Sequence, residues 1–123
     1  MRRITNHEAN SCNKQLEIVV LDERGPGGVC HEYKVSWHNP HQDRIINIMI
    51  PFQSGPIKEF GINGLTHETL LAIVIDRLES LQCGPFACKE NAMALADARG
   101  ALQWLHKRTL DRYTRGVEGE NKQ

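Results

Sequence analysis

The hydrophobic period changes at Asn63-Gly64, and that change constrains the fold more than any other feature of the chain. Before it, short β-branched runs alternate with polar residues; after it, apolar residues recur every three or four positions. A side-chain period of two belongs to strands and one of 3.6 to helices. The pattern predicts an α+β chain: a small N-terminal antiparallel β-sheet over 16–62, then a C-terminal antiparallel helical hairpin over 66–115 whose last helix is long. With 123 residues and 40% hydrophobic content there is material for one core, so a single domain over 1–123 is expected.

Four strands are predicted. Leu16 to Leu21 and Tyr33 to Trp37 flank the turn Gly25-Pro26-Gly27-Gly28 as a hairpin; Ile45 to Ile50 and Ile57 to Ile62 follow, each after its own turn. The polar ends, 1–14 and 116–123, show no period and are read as mobile tails.

Thr66 caps the first helix, which runs to about residue 82 on Leu70, Val74, Leu78 and Leu81 and stops at Gly84-Pro85. The second begins near Ala87 and meets no breaker until Gly116, with Leu95, Ala98, Leu102 and Leu105 as its seam. At ~1.5 Å per residue it is on the order of 40 Å long, more than one small domain needs. Gly100 in its middle costs about 1 kcal/mol against Ala. It is either neutral variation or a place where another backbone comes close.

The net charge is zero, so no overall cationic field draws the chain to duplex DNA or anionic lipid, and any anion site must be local. No stable nucleic-acid partner and no membrane are expected, and the N-terminus lacks a signal-peptide pattern, which reads as a cytosolic protein. Cys12, Cys30, Cys83 and Cys88 are irregularly spaced, as suits reduced thiols; Cys83 and Cys88, bracketing the inter-helix turn, read as small packing residues. His31, His38, His41 and Cys30 fit no zinc spacing. P-loop, zinc-helix and nucleophile-elbow motifs are missing too. Neither metal nor cofactor is expected, and no catalytic residue is nominated.

Arg108, Arg112 and Arg115 form the strongest local signal. Spacings of four and three align them on one side of the last helical turns. Such a stripe is either a solvated helix end complementing the dipole or a set of paired donors matched to phosphate oxygens. The inter-helix turn is the second candidate, with Phe86 as a ring for a base or a plug under the turn, and Asn91 as an amide that can read a base edge. Asn91 and Arg108 are 17 residues apart, ~25 Å along one helix, so one small nucleotide cannot touch both within one chain. Two copies of the helix packed antiparallel would bring the two ends together twice by symmetry.

At these residues the chain resembles the first type of Thoeris anti-defence protein. The resemblance runs over about residues 16–119 and rests on Leu21-Asp22-Glu23-Arg24-Gly25-Pro26-Gly27-Gly28, Gly55-Pro56-Ile57-Lys58-Glu59, Asn63-Gly64-Leu65-Thr66 and Leu70 to Leu78. It continues through Gly84-Pro85-Phe86-Ala87-Cys88-Lys89-Glu90-Asn91-Ala92 and Trp104 to Arg112, closing on Arg115-Gly116-Val117-Glu118-Gly119. It implies a phage-encoded, non-enzymatic protein of the host bacterial cytoplasm that sequesters cyclic ADP-ribose isomers made by TIR-domain enzymes, without altering them. It also implies homodimers joined through the long helices, some assembling into hexamers that hold cyclic oligonucleotides at separate sites. Carried over residue by residue, Asn91 is a base contact, Arg108 and Arg112 are pyrophosphate contacts, and Lys58 belongs to the second, cyclic-oligonucleotide site. The family pattern places a stacking aromatic where Leu81 stands and an Arg where Lys89 stands. The expected ligand set is therefore Leu81, Phe86, Asn91, Arg108, Arg112 and Arg115.

Overall fold

The computed structural model describes residues 1–116. They divide into two compact units, Met1–Gly64 and the chain from Leu65 onward, so the boundary falls where the hydrophobic period changes. The part of the expected C-terminal tail beyond Gly116 lies outside the described residues.

The first unit contains β1 (Arg2–Ile4), α1 (Ser11–Lys14), β2 (Glu17–Val20), β3 (Glu32–Asn39), β4 (Arg44–Pro51) and α2 (Ile57–Phe60). The strands form one antiparallel sheet in the order β1-β2-β3-β4. Register aligns Ile4, Ile18, Val35 and Ile48 in one row and Arg2, Val20, Tyr33 and Ile50 in the next such row, Arg2 standing at the β1 edge. Residues directly opposite share a face, and so do those two apart along a strand, so apart from Arg2 these rows are apolar. Val20, 1% exposed, is their most buried member, and Tyr33 meets Phe52 edge-to-face at 5.4 Å between centroids. β4 is the long edge of the sheet. The Phe52 amide points inward to the His31 carbonyl at 2.7 Å, so Pro51, one position earlier, turns outward where no donor is needed.

The fourth strand is not the predicted one. Ile57 to Ile62 forms the single turn of α2 and then leaves through Gly61, whose φ is +69°. Side chains, and not a neighbouring strand, satisfy this segment: Asn63 exchanges two hydrogen bonds of 2.8 Å with the Ser54 backbone, and Gln53 joins Gly61 and Asn63. The sheet gains its fourth strand from Arg2–Ile4, inside the stretch expected to be a mobile tail. An edge strand needs pairing on one side only and tolerates charge, so no apolar alternation announces it.

Asp22 closes the loop between β2 and β3. Its carboxylate accepts the His31 amide at 2.9 Å and the Glu32 amide at 3.1 Å, and the His31 bond chiefly holds its pKa below the usual carboxylate value. A pKa lowered by folding stabilises the fold above the unfolded value of about 4, and the contribution is lost as pH falls through the folded value. We expect the Tm advantage of wild type over Asp22→Asn to shrink as pH falls below about 4, the two curves converging. Curves that stay parallel under acid would mean these bonds carry no such linkage.

The second unit is a helical hairpin of α3 (His67–Gln82) and α4 (Lys89–Thr114). Thr66 caps α3, its hydroxyl accepting the Thr69 amide at 3.2 Å. Cys88 caps α4, its Sγ accepting the Asn91 amide at 3.4 Å, so this exposed thiol is a cap and not a packing residue; Cys83 is exposed as well. Gln82 clasps the turn by bonding both the amide and the carbonyl of Cys88. The seam centres on buried Ile75 and Leu95, flanked by half-buried Leu71, Leu78, Ala98, Leu102 and Leu105. The α4 seam matches its prediction. That of α3 is rotated: Val74 and Leu81 are exposed, because the unbroken apolar run 70–75 offers several helical stripes and packing against α4 selects one. Ile73 and Val74 stay in contact with solvent, so the apolar middle of α3 is not covered all round. No described helix is long and apolar enough to cross a membrane.

Candidate functional site

α4 outruns its partner. α3 has 16 residues and α4 has 26, hence lengths of ~24 Å and ~39 Å, so about ten residues of α4 extend past the start of α3. The arginines lie on this extension. Arg108, Arg112 and Arg115 line one open concavity of about 900 Å³ together with Trp104, Lys107, Asp111 and Thr114.

The concavity holds four cations against one carboxylate, in a chain with no net charge. Asp111 pairs with Lys107 at 3.0 Å, leaving the carboxylate turned toward the lysine. Among the described residues neither Arg108 nor Arg115 makes an ion pair. Arg112 differs: it is only 7% exposed and is itself engaged by an interaction that fixes it. A buried guanidinium requires a partner, so Arg112 is anchored, yet with five N–H donors it still lines the concavity beside the exposed Arg108 and Arg115.

The other predicted residues sit at the far end of the hairpin. Phe86 is 74% exposed, which rules out a plug under the turn. Asn91 is half-buried, and its amide nitrogen donates to the Phe86 carbonyl at 3.5 Å. Leu81 is exposed near the end of α3. Within one chain, then, the arginines share a concavity and Leu81, Phe86 and Asn91 gather around the turn. α4 is continuous between the two groups, which keeps Asn91 and Arg108 ~25 Å apart. Lys58 lies in the first unit, exposed on α2. No group of three His, Cys, Asp or Glu residues suited to a metal ion occurs among the described residues.

A family model described as "Acb2/Tad1, hairpin domain" matches residues 44–110, more than half of the chain. This chain belongs to the Acb2/Tad1 hairpin family. It is also 51% identical over 70 residues to a protein of Bacillus phage SBSphiJ7 named Thoeris anti-defense 1. That match takes in 57% of this chain and 49% of the relative, so the chain spans about half the length of the curated relative it matches. The Acb2/Tad1 match contains Lys58, Leu81, Phe86, Asn91 and Arg108, whereas Arg112 and Arg115 lie beyond its last residue.

Two features of this Acb2/Tad1 chain escape its sequence pattern. Trp104 was open to detection, because the spacing of four that relates Arg108 to Arg112 also relates Trp104 to Arg108. The Cys88 cap was not, since cysteine is not among the side chains that usually begin helices.

Proposed function

We propose that this chain is an anti-defence protein that captures a small phosphate-bearing nucleotide intact, the arginine concavity holding the phosphates. The observation that carries the reading is the cluster of four cations on one helix end in a chain of zero net charge. Family membership and the relative's name support the anti-defence role. The ligand we assign is a cyclic ADP-ribose isomer made by TIR-domain enzymes, as the resemblance implies. Sequestration needs affinity without turnover. The concavity suits that requirement: its one carboxylate is engaged by Lys107, and its remaining lining offers cations, an indole and a hydroxyl. Lys58 is assigned on the same reading to a separate site for cyclic oligonucleotides.

The site is completed by a second copy. Glu90, Met93, Asp97, Gly100, Trp104, Arg108, Asp111 and Arg115 fall within about 40° of one another's mean direction around α4. Gly100 is the small residue near the middle of this face, so two antiparallel copies can cross there. The same pairing brings Phe86 and Asn91 of one copy to the arginine end of the other.

Gly100 tests the pairing. A Cβ built there meets nothing within 4 Å in its own chain, so Gly100→Ala gains helix propensity of up to ~1 kcal/mol in the isolated hairpin. In a dimer whose helices cross at Gly100 the added bulk separates them. We expect Gly100→Leu to remain folded and sediment as a monomer at concentrations where wild type is dimeric; a dimer unchanged by leucine would exclude this crossing.

The function itself is tested by incubating the purified protein with the products of a TIR-domain enzyme, removing unbound ligand, heat-denaturing the protein and analysing the supernatant by mass spectrometry. Release of an unaltered cyclic ADP-ribose isomer is expected. Release of a cleaved nucleotide would make the protein a hydrolase, and release of nothing would end the ligand reading.

A further inference from the structure

Trp104 is 72% exposed, although tryptophan is a side chain that proteins mostly bury. The core of its own unit does not use it: the seam of α4 runs through Leu95, Ala98, Leu102 and Leu105, on another side of the helix. The indole instead lines the arginine concavity. Trp104 lies four residues before Arg108 and eight before Arg112, hence ~6 Å and ~12 Å along the axis, within about 40° and 80° around it.

That spacing has chemical content. In a nucleoside diphosphate the base and the first phosphate are separated by one ribose, and one helical turn separates the indole from Arg108. An aromatic base has a π-face that stacks on an indole, and stacking is worth roughly tenfold or more in affinity per base. The lining supplies one aromatic surface and several guanidiniums at a distance that a single ligand can bridge. The ion pair of Asp111 with Lys107 offsets the charge of the one carboxylate in the concavity.

We propose that Trp104 is a specificity residue that stacks on the aromatic base of a nucleoside diphosphate whose pyrophosphate is held by Arg108 and Arg112, so that one copy of α4 grips both ends of the ligand. This deepens the proposed function and rests on it. It also changes the role of the second copy: the turn residues Phe86 and Asn91 close over a ligand already held at two points, and do not supply the first base contact. A ligand with pyrophosphate and no base lacks the indole contact, which makes the concavity selective for nucleotides over inorganic phosphates.

The chain has two tryptophans, and Trp37→Phe leaves Trp104 as the sole indole. In that background, cyclic ADP-ribose is titrated with emission and calorimetric heat recorded together, and dimerisation is followed by sedimentation. Quenching of Trp104 emission that saturates with the heat is expected, with affinity roughly tenfold or more weaker in Trp104→Ala and largely restored in Trp104→Phe, each variant being compared at concentrations where sedimentation shows it dimeric. Full-affinity binding that leaves Trp104 emission unaltered overturns the stacking role and leaves the capture reading intact. Wild-type affinity in Trp104→Ala does the same. An affinity loss in Trp104→Ala that disappears once the variant is concentrated into dimers reassigns the indole to the subunit seam alone. No heat with wild-type protein, under conditions where TIR products also go uncaptured, removes the proposed function and this role together.

Discussion

Replacing Arg108 and Arg112 together with alanine is expected to weaken ligand capture by more than a hundredfold, the largest functional effect of any pair in the chain. Each guanidinium offers paired donors to phosphate oxygens, and a hydrogen bond to a charged group contributes about 1.5–3 kcal/mol. Two such residues therefore account for at least ~3 kcal/mol, or about a hundredfold. The singles separate two roles that the double variant merges. Arg108 is exposed in the concavity, so Arg108→Ala should reduce affinity and leave Tm unchanged. Arg112 is buried and engaged, so Arg112→Ala should reduce both, because its removal leaves a partner without its counterpart. Arg108→Lys retains the charge and loses the paired geometry, and an intermediate affinity is expected. The measurement is calorimetric titration with cyclic ADP-ribose beside a thermal melt of each variant. A double variant that binds as wild type would remove the concavity from the function altogether.

The helical half of the fold is legible because each boundary carries its own chemistry. Thr66 accepts a first-turn amide, Gly84-Pro85 stops α3, and Leu95, Ala98, Leu102 and Leu105 set the α4 seam without ambiguity. The N-terminal half is less legible where side chains replace strand pairing. Ile57, Phe60 and Ile62 fit a strand nearly as well as a helical turn, and only the long-range bonds of Gln53 and Asn63 decide between them. Arg2 and Arg3 conceal a strand because an edge position asks for backbone pairing and not for apolar side chains. At the candidate site, spacing along α4 shows that the arginines share a side and that Asn91 is out of their reach. It does not show that Arg112 is buried while Arg108 is open, since burial depends on what lies around the helix end. Nor does it show that Phe86 projects into solvent, because the clasp of Gln82 on Cys88 settles how the turn closes.

Gly64→Ala should be the most damaging methyl addition in the first unit. A Cβ at Gly64 would lie 2.4 Å from the carbonyl carbon of Phe52, 2.6 Å from its oxygen and 2.7 Å from the Gln53 nitrogen. All three atoms are backbone, at the point where the chain leaves β4, and none can rotate away. Gly55 is the informative comparison. Its Cβ would meet the Phe60 ring at 2.6 Å, and its φ of +82° disfavours any L side chain. The Phe60 ring is exposed, however, and can turn aside, so Gly55→Ala is left mainly with its backbone cost of roughly 1–2 kcal/mol. At Gly64 the backbone of 52–53 must move, and with it the Gln53 side chain that bonds Gly61 and Asn63, so one methyl loosens the whole loop over α2. Overpacking of this kind costs about 1–3 kcal/mol, and the coupled loss of a hydrogen-bonded loop places Gly64→Ala at the upper end. Thermal unfolding of both variants should rank Gly64→Ala below Gly55→Ala. Proteolytic nicking within residues 53–63 should accelerate in Gly64→Ala, because its damage is displacement of the loop. Equal melting of the two variants, with the loop uncut, would mean that the approach of Gly64 to Phe52 is not held in solution.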